Sequence, residues 1–139
     1  MQSVAFHLAI GVFDLEETRR FYQDVLGCKV GRTCQKWIDF DFFGHQVTAH
    51  LGDVSTNAIR NEVDRKSIPV PHFGCVLFWQ DFLRLEEKLT AMKTVFEVKP
   101  YLRFAGEVGE QKTMFLRDPS GHYLEFKAFK NPESLFDRG

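Results

Sequence analysis

Four side chains in this sequence have the types and spacing to do chemistry together: His7, His50, His72 and Glu125. His7 lies in a stretch, Val4 to Val12, that alternates as a strand does, with Phe6, Leu8 and Ile10 on one face and Ala5, His7, Ala9 and Gly11 on the other. His50 shares a face with Gln46 and Thr48, opposite Val47, Ala49 and Leu51, while Glu125 shares one with Tyr123 and Lys127, opposite Leu124, Phe126 and Ala128. Each strand therefore offers an apolar side for a core and a polar side for a cavity. Imidazoles and a carboxylate withdrawn from water need partners, and one divalent ion satisfies several of them at once. Two histidines and one carboxylate leave coordination positions open, which suits catalysis better than a closed structural site. Any one of these histidines alone reads as a hydrogen-bonded strand residue; four on matching faces read as a site.

The elements that would position them fall into two similar halves. After the first strand, Asp14 caps a helix with Glu16 and Glu17 in its first turn, and Gly27 stops it. Strands follow at Lys29 to Thr33, Lys36 to Phe43 and, beyond a Gly44-His45 turn, Gln46 to Leu51. The next segment is polar and patternless and ends in Ile68-Pro69-Val70-Pro71, so we expect an irregular linker over 53–71. His72 to Trp79 then reads as a strand and Asp81 to Met92 as a helix with Phe82, Leu85, Leu89 and Met92 on one side. Val95 to Val98, Lys112 to Arg117 and Tyr123 to Phe129 supply three more strands. The expectation is an α+β domain over 1–139, built of two βαβββ modules at about 4–52 and 72–130, with the helices outside a cupped mixed sheet. Gly44-His45 and Gly121-His122 each turn into a final strand. His50 and Glu125 stand six and four residues beyond those glycines, both even separations, so a duplicated module would give them equivalent positions.

Composition narrows the partners. Fifteen phenylalanines in 139 residues supply unusual apolar area for a core or a pocket. Eighteen basic and nineteen acidic residues, with no long block of either sign, argue against a nucleic-acid partner. No apolar run approaches the roughly 20 residues that span a bilayer, and the amino end lacks a basic region, so a cytoplasmic protein without membrane contact is expected. Cys28, Cys34 and Cys75 are odd in number and form no C-x-x-C pair, which favours free, mostly buried thiols.

The runs His7-Leu8-Ala9-Ile10, Asp14-Leu15, Arg20-Phe21-Tyr22, Val25-Leu26-Gly27 and Asp118-Pro119-Ser120-Gly121-His122-Tyr123-Leu124-Glu125 resemble the vicinal-oxygen-chelate superfamily from about Phe6 to Ala128. That group includes glyoxalase I, methylmalonyl-CoA epimerase, extradiol dioxygenases, and fosfomycin and bleomycin resistance proteins. The resemblance implies metal positions at His7, His72 and Glu125, and a fourth position at His50. Glyoxalase I-like members carry a glutamate at the fourth position; histidine there points instead to extradiol-type oxygenases, in which such a histidine moves protons. The run W-I-D-F-D-F-F-G-H-Q and the closing E-F-K-A-F resemble a group of small extradiol-type members.

A dioxygenase-like oxidoreductase would then hold iron(II) or manganese(II), with zinc(II) or nickel(II) also compatible. It would bind a small metal-chelating oxygenated substrate, take O2 as co-substrate, and form a homodimer as single-unit members often do. Against ring cleavage specifically, Phe115 stands where such enzymes usually have a tyrosine. A lyase or isomerase using the same metal and a non-catalytic binding protein of the bleomycin-resistance type are the other readings. Further candidates for the substrate pocket are Trp37, Asp39, Asp41, Arg103 and Phe115.

Overall fold

Alternation in the first strand is realised as β1 (His7–Val12), where Leu8, Ile10 and Val12 turn inward and His7 and Ala9 outward. The computed structural model describes residues 1–54 and 59–138; the part of the expected linker at 55–58 lies outside the described residues. The chain divides into two compact units. One holds the described residues of Met1–Asn57 together with Asp118–His122, and the other those of Ala58–Arg117 and Tyr123–Gly139.

In the first unit β1 is followed by α1 (Leu15–Arg19), whose Asp14 cap accepts the Glu17 N–H at 2.9 Å, and the helix widens into a π-helical segment over Arg20–Val25. Strands β2 (Lys29–Thr33), β3 (Trp37–Phe42) and β4 (His45–Leu51) complete a mixed sheet in the order β1-β4-β3-β2, with β1 and β4 parallel. The aromatic periodicity of the helix finds its reason in packing: Tyr22 stacks on Phe40 with ring centres 5.0 Å apart and meets Phe42 edge-on.

The Asp118–His122 turn belongs to this unit, and its carboxylate is a structural anchor. Asp118 accepts the Tyr22 hydroxyl at 2.8 Å and the backbone N–H groups of Ser120 and His122 at 2.9 Å each. Burial, reinforced by the neighbouring Asp118 charge, holds the Tyr22 phenol well above its ordinary pKa, so it stays a donor. Tyr22→Phe is therefore expected to lower stability by about 1–3 kcal/mol, because a buried carboxylate loses one of its donors. Urea denaturation measures it; an unchanged midpoint would contradict the anchor.

The second unit begins with an unexpected element. Where an irregular linker was expected, β5 (Ile59–Val63) and β6 (Lys66–Val70) pair as an antiparallel hairpin. Its two-residue turn is Asp64-Arg65, at φ +47° and +66°, so the glycine or asparagine that normally marks such a turn is missing. Tertiary contacts compensate. Asp64 accepts the Tyr101 hydroxyl at 2.6 Å and pairs with Arg103 Nε at 2.7 Å, while Ile68 packs with Val98 and Phe115. Burial and the Asp64 carboxylate push the Tyr101 phenol up to about 12, and the bond from Tyr101 draws the Asp64 carboxyl down.

Then come β7 (Phe73–Val76), α2 (Trp79–Ala91), β8 (Val98–Arg103), β9 (Gln111–Arg117) and β10 (Tyr123–Phe129), with sheet order β7-β10-β9-β8 and β7 parallel to β10. Helix α2 buries Phe82, Leu85 and Leu89, as its spacing required, and a 3-10 turn over Pro132–Phe136 is capped by Asn131. Strand β8 starts where the sequence reading ended it, at Val98, because its inward residues are Val98 and Tyr101 across a bulge rather than Val95, which is exposed. Both units are mixed α+β, and each four-stranded sheet carries one parallel pair followed by two antiparallel pairs. Of the three thiols Cys28 is buried, Cys75 half-buried and Cys34 exposed, the last against expectation. No described helix is long and apolar enough to cross a membrane.

Candidate functional site

The second unit brings two of the candidate residues together. His72 stands one residue before β7 and Glu125 lies in β10, directly opposite Gly74 in the parallel register. A β-carbon on Gly74 would fall on the carbonyl oxygen of Glu125, so only the bare glycine lets β7 close on β10 here. The result sets His72 Nε2 3.2 Å from Glu125 Oε1. Each group is held from behind. His72 Nδ1 lies 2.9 Å from the Pro69 carbonyl of β6, and the Thr113 hydroxyl of β9 donates to Glu125 Oε2 at 2.7 Å. Phe115 meets the His72 ring edge-on, with centres 5.4 Å apart. The Lys127 ammonium is 3.9 Å from Oε2.

The contact to the Pro69 carbonyl selects the tautomer of the neutral His72 ring. A carbonyl oxygen only accepts, so Nδ1 of His72 carries a proton, and in the neutral ring Nε2 then presents its lone pair. That lone pair faces a carboxylate oxygen, which is also an acceptor. Two facing acceptors are bridged by a shared proton or by a cation bound to both. Two ligands about 2.1 Å from one divalent ion and roughly 90–110° apart would stand about 3.0–3.4 Å from each other. The donor set and its spacing fit a divalent metal, and a carbonyl behind the histidine is the arrangement that fixes the ring of a metal ligand.

In the first unit His7 has a comparable setting: its Nδ1 lies 2.8 Å from Gln46 Oε1, which as an acceptor leaves Nε2 available. Gln46 is thus the residue that orients His7. The parallel register pairs His7 with Gln46, Ala9 with Thr48 and Gly11 with His50, just as Gly74 pairs with Glu125. The residue two beyond His7 faces Thr48, and the residue two beyond His72 faces Glu125. Counting from the turn glycines agrees, since Thr48 and Glu125 each stand four residues on. His50 therefore shares the face that parity required, but its expected equivalence with Glu125 is off by one row. Period two fixes a face and not a position along it.

His50 is exposed and sits opposite Trp37, while Asp39, opposite Thr48, accepts the Thr48 hydroxyl at 2.6 Å. Asp41 is exposed and caps the β3–β4 turn by accepting the Gly44 N–H at 2.8 Å. Asp39, Asp41, Arg32, His45 and Gln46 line a cleft of about 370 Å3. The other pocket candidates are differently occupied. Arg103 ends β8, and its pairing with Asp64 ties down the hairpin. Phe115 is 1% exposed under Ile68, so it packs against His72 instead of lining open space.

Among the described residues no group of three or more His, Cys, Asp or Glu side chains is close enough to hold a metal ion. The pair brought together is His72 and Glu125. The residues that sequence reasoning missed are those behind the pair: Thr113, the Pro69 carbonyl and Gly74. Of these only Gly74, a glycine inside a strand, carried a legible signal.

A family model described as the Glyoxalase/Bleomycin resistance protein/Dioxygenase superfamily matches residues 5–126. A crystal structure titled glyoxalase/bleomycin resistance protein/dioxygenase, from Alicyclobacillus acidocaldarius, is similar at 33% identity and TM-score 0.78, covering 98% of this chain and 100% of that one. The genomically encoded fosfomycin resistance protein of Listeria monocytogenes shares the fold at 19% identity and TM-score 0.71, over 97% of this chain and 100% of its own. Lactoylglutathione lyase from Agrobacterium tumefaciens does so at 17% and 0.64, over 91% and 94%. Proteins of curated function contain no significant match.

Proposed function

Because the chain belongs to the Glyoxalase/Bleomycin resistance protein/Dioxygenase superfamily, we propose that it is a metal-dependent enzyme. In this reading His72 and Glu125 supply two ligands and His7 the third. The observation that carries the proposal is the His72 Nε2 to Glu125 Oε1 approach at 3.2 Å, with both back atoms hydrogen-bonded. Two histidines and a carboxylate with open positions are the ligand set of iron(II) oxygenases, so the reaction class proposed is dioxygenase-like oxidation of a small oxygenated substrate. Iron(II) or manganese(II) in that set would act as a Lewis acid and a meeting point for substrate and O2.

The protein's own residues supply the rest. The Pro69 carbonyl and the Thr113 hydroxyl fix the ligand pair. His50, exposed on the face that carries His7, accepts and returns the substrate proton. Thr48 at the row equivalent to Glu125 supports oxygenase over glyoxalase-type isomerisation, for which glyoxalase I-like members keep a second carboxylate.

Anaerobic reconstitution with iron(II), followed by oxygen uptake with a panel of catechols and hydroxyquinols, tests this. Uptake that His50→Ala slows while metal content stays intact is the expected result. Metal-dependent turnover of an α-oxo or epoxide substrate without uptake would replace it with a lyase or isomerase. Stoichiometric ligand binding without metal would make the chain a binding protein.

A further inference from the structure

We infer that Thr113 is a positioning residue that makes Glu125 a one-oxygen ligand, an inference that rests on the metal-dependent reading above. Thr113 is fully buried in β9, and its hydroxyl donates to Glu125 Oε2 at 2.7 Å across the β9–β10 pair. A hydroxyl has one proton to donate, and this one is committed to Oε2. Oε1 is left as the oxygen that faces His72 Nε2. A carboxylate can bind a metal through one oxygen or both. With Oε2 held by a hydroxyl and flanked by the Lys127 ammonium at 3.9 Å, the two-oxygen mode would require breaking the Thr113 bond.

One-oxygen binding matters because it conserves coordination positions. With two histidines and a single carboxylate oxygen, an octahedral ion keeps three positions for substrate and O2; a carboxylate chelating through both oxygens would take one of them. The first unit carries a similar bond with the strands exchanged. Thr48 of β4 donates to Asp39 of β3 at 2.6 Å, so among the described residues a threonine holds one carboxylate oxygen in each of the four-stranded sheets. Only the copy in the second unit has a histidine facing the other oxygen.

The test compares the unsubstituted protein with Thr113→Val, which keeps the shape and removes the hydroxyl, and Thr113→Ser, which restores it. Manganese(II) affinity, read from the electron paramagnetic resonance of the free ion, should fall about 10–100-fold in Thr113→Val, the usual cost of losing a group behind a ligand. It should recover in Thr113→Ser, which a purely packing role for the methyl group would not produce. Infrared difference spectra on metal binding should show the wide carboxylate splitting of one-oxygen coordination in the unsubstituted protein. Equal affinity for the three proteins, or a narrow chelating splitting, would overturn the inference and leave the metal reading standing. No manganese(II) binding by the unsubstituted protein would overturn both. The infrared arm needs no variant, so poor folding of Thr113→Val does not remove the test.

Discussion

Alanine in place of His72 is expected to leave a folded protein that holds no stoichiometric divalent metal. The side chain is partly exposed at 23%, its ring contributes one edge contact to Phe115, and neither role supports the fold heavily. Its loss removes one of the two groups that face each other at 3.2 Å. The metal would then depend on Glu125 and whatever His7 supplies. The effect should exceed the roughly 10–100-fold that follows from losing a group behind a ligand. Glu125→Gln should behave alike, because the amide keeps the shape and gives up the charge that offsets the ion's. His7→Ala extends the test to the third ligand of the proposal. Elemental analysis after anaerobic purification, with circular dichroism to establish folding, reads all three. Full metal occupancy in His72→Ala would sink the site, whatever the reaction.

Gly74→Ala should be the most damaging single-methyl change in the second unit. The added carbon would coincide with the Glu125 carbonyl, and its other close neighbours are backbone atoms of the same residue, which cannot rotate away. Strand β7 must either leave β10 or take the carboxylate with it, so the His72 and Glu125 pair separates along with the parallel ladder. A stability loss above about 4 kcal/mol is expected, in the range reserved for core disruption. Gly52→Ala is the control, since a β-carbon there meets nothing within 4 Å; it should change stability by no more than about 0.5 kcal/mol. Chemical denaturation of both proteins decides. A Gly74→Ala protein as stable as the Gly52→Ala one would contradict the parallel pairing of β7 with β10.

The two halves differ in how far they could be read in advance. Strand β2 at Lys29–Thr33 and the core helix faces came directly from local patterns, because a period of two or 3.6 is a property of consecutive residues. The β5–β6 hairpin did not. Its turn is Asp64-Arg65, and Arg65 takes a left-handed backbone that its type disfavours, where a glycine would have marked the turn. What stabilises it, Tyr101 and Arg103 on Asp64 and the packing of Ile68 on Phe115, lies 35 or more residues away in sequence. No local window contains that information. The same hairpin delivers the Pro69 carbonyl to His72, so a segment read as mere connection supplies part of the candidate site.

By itself the sequence determined the α+β class, the family, and the polar face on which His7, His50 and Glu125 lie. Alternation, capping and turn chemistry are short-range, and the family's motifs lie in contiguous runs. Tertiary structure alone decided which residues meet. Strand register, set by the bare Gly74 and by turn glycines four residues from Thr48 and Glu125, placed a threonine where His50 had been expected. A partner on the neighbouring strand fixed the orientation of Glu125, because hydrogen bonds across a sheet depend on the row and not on the face.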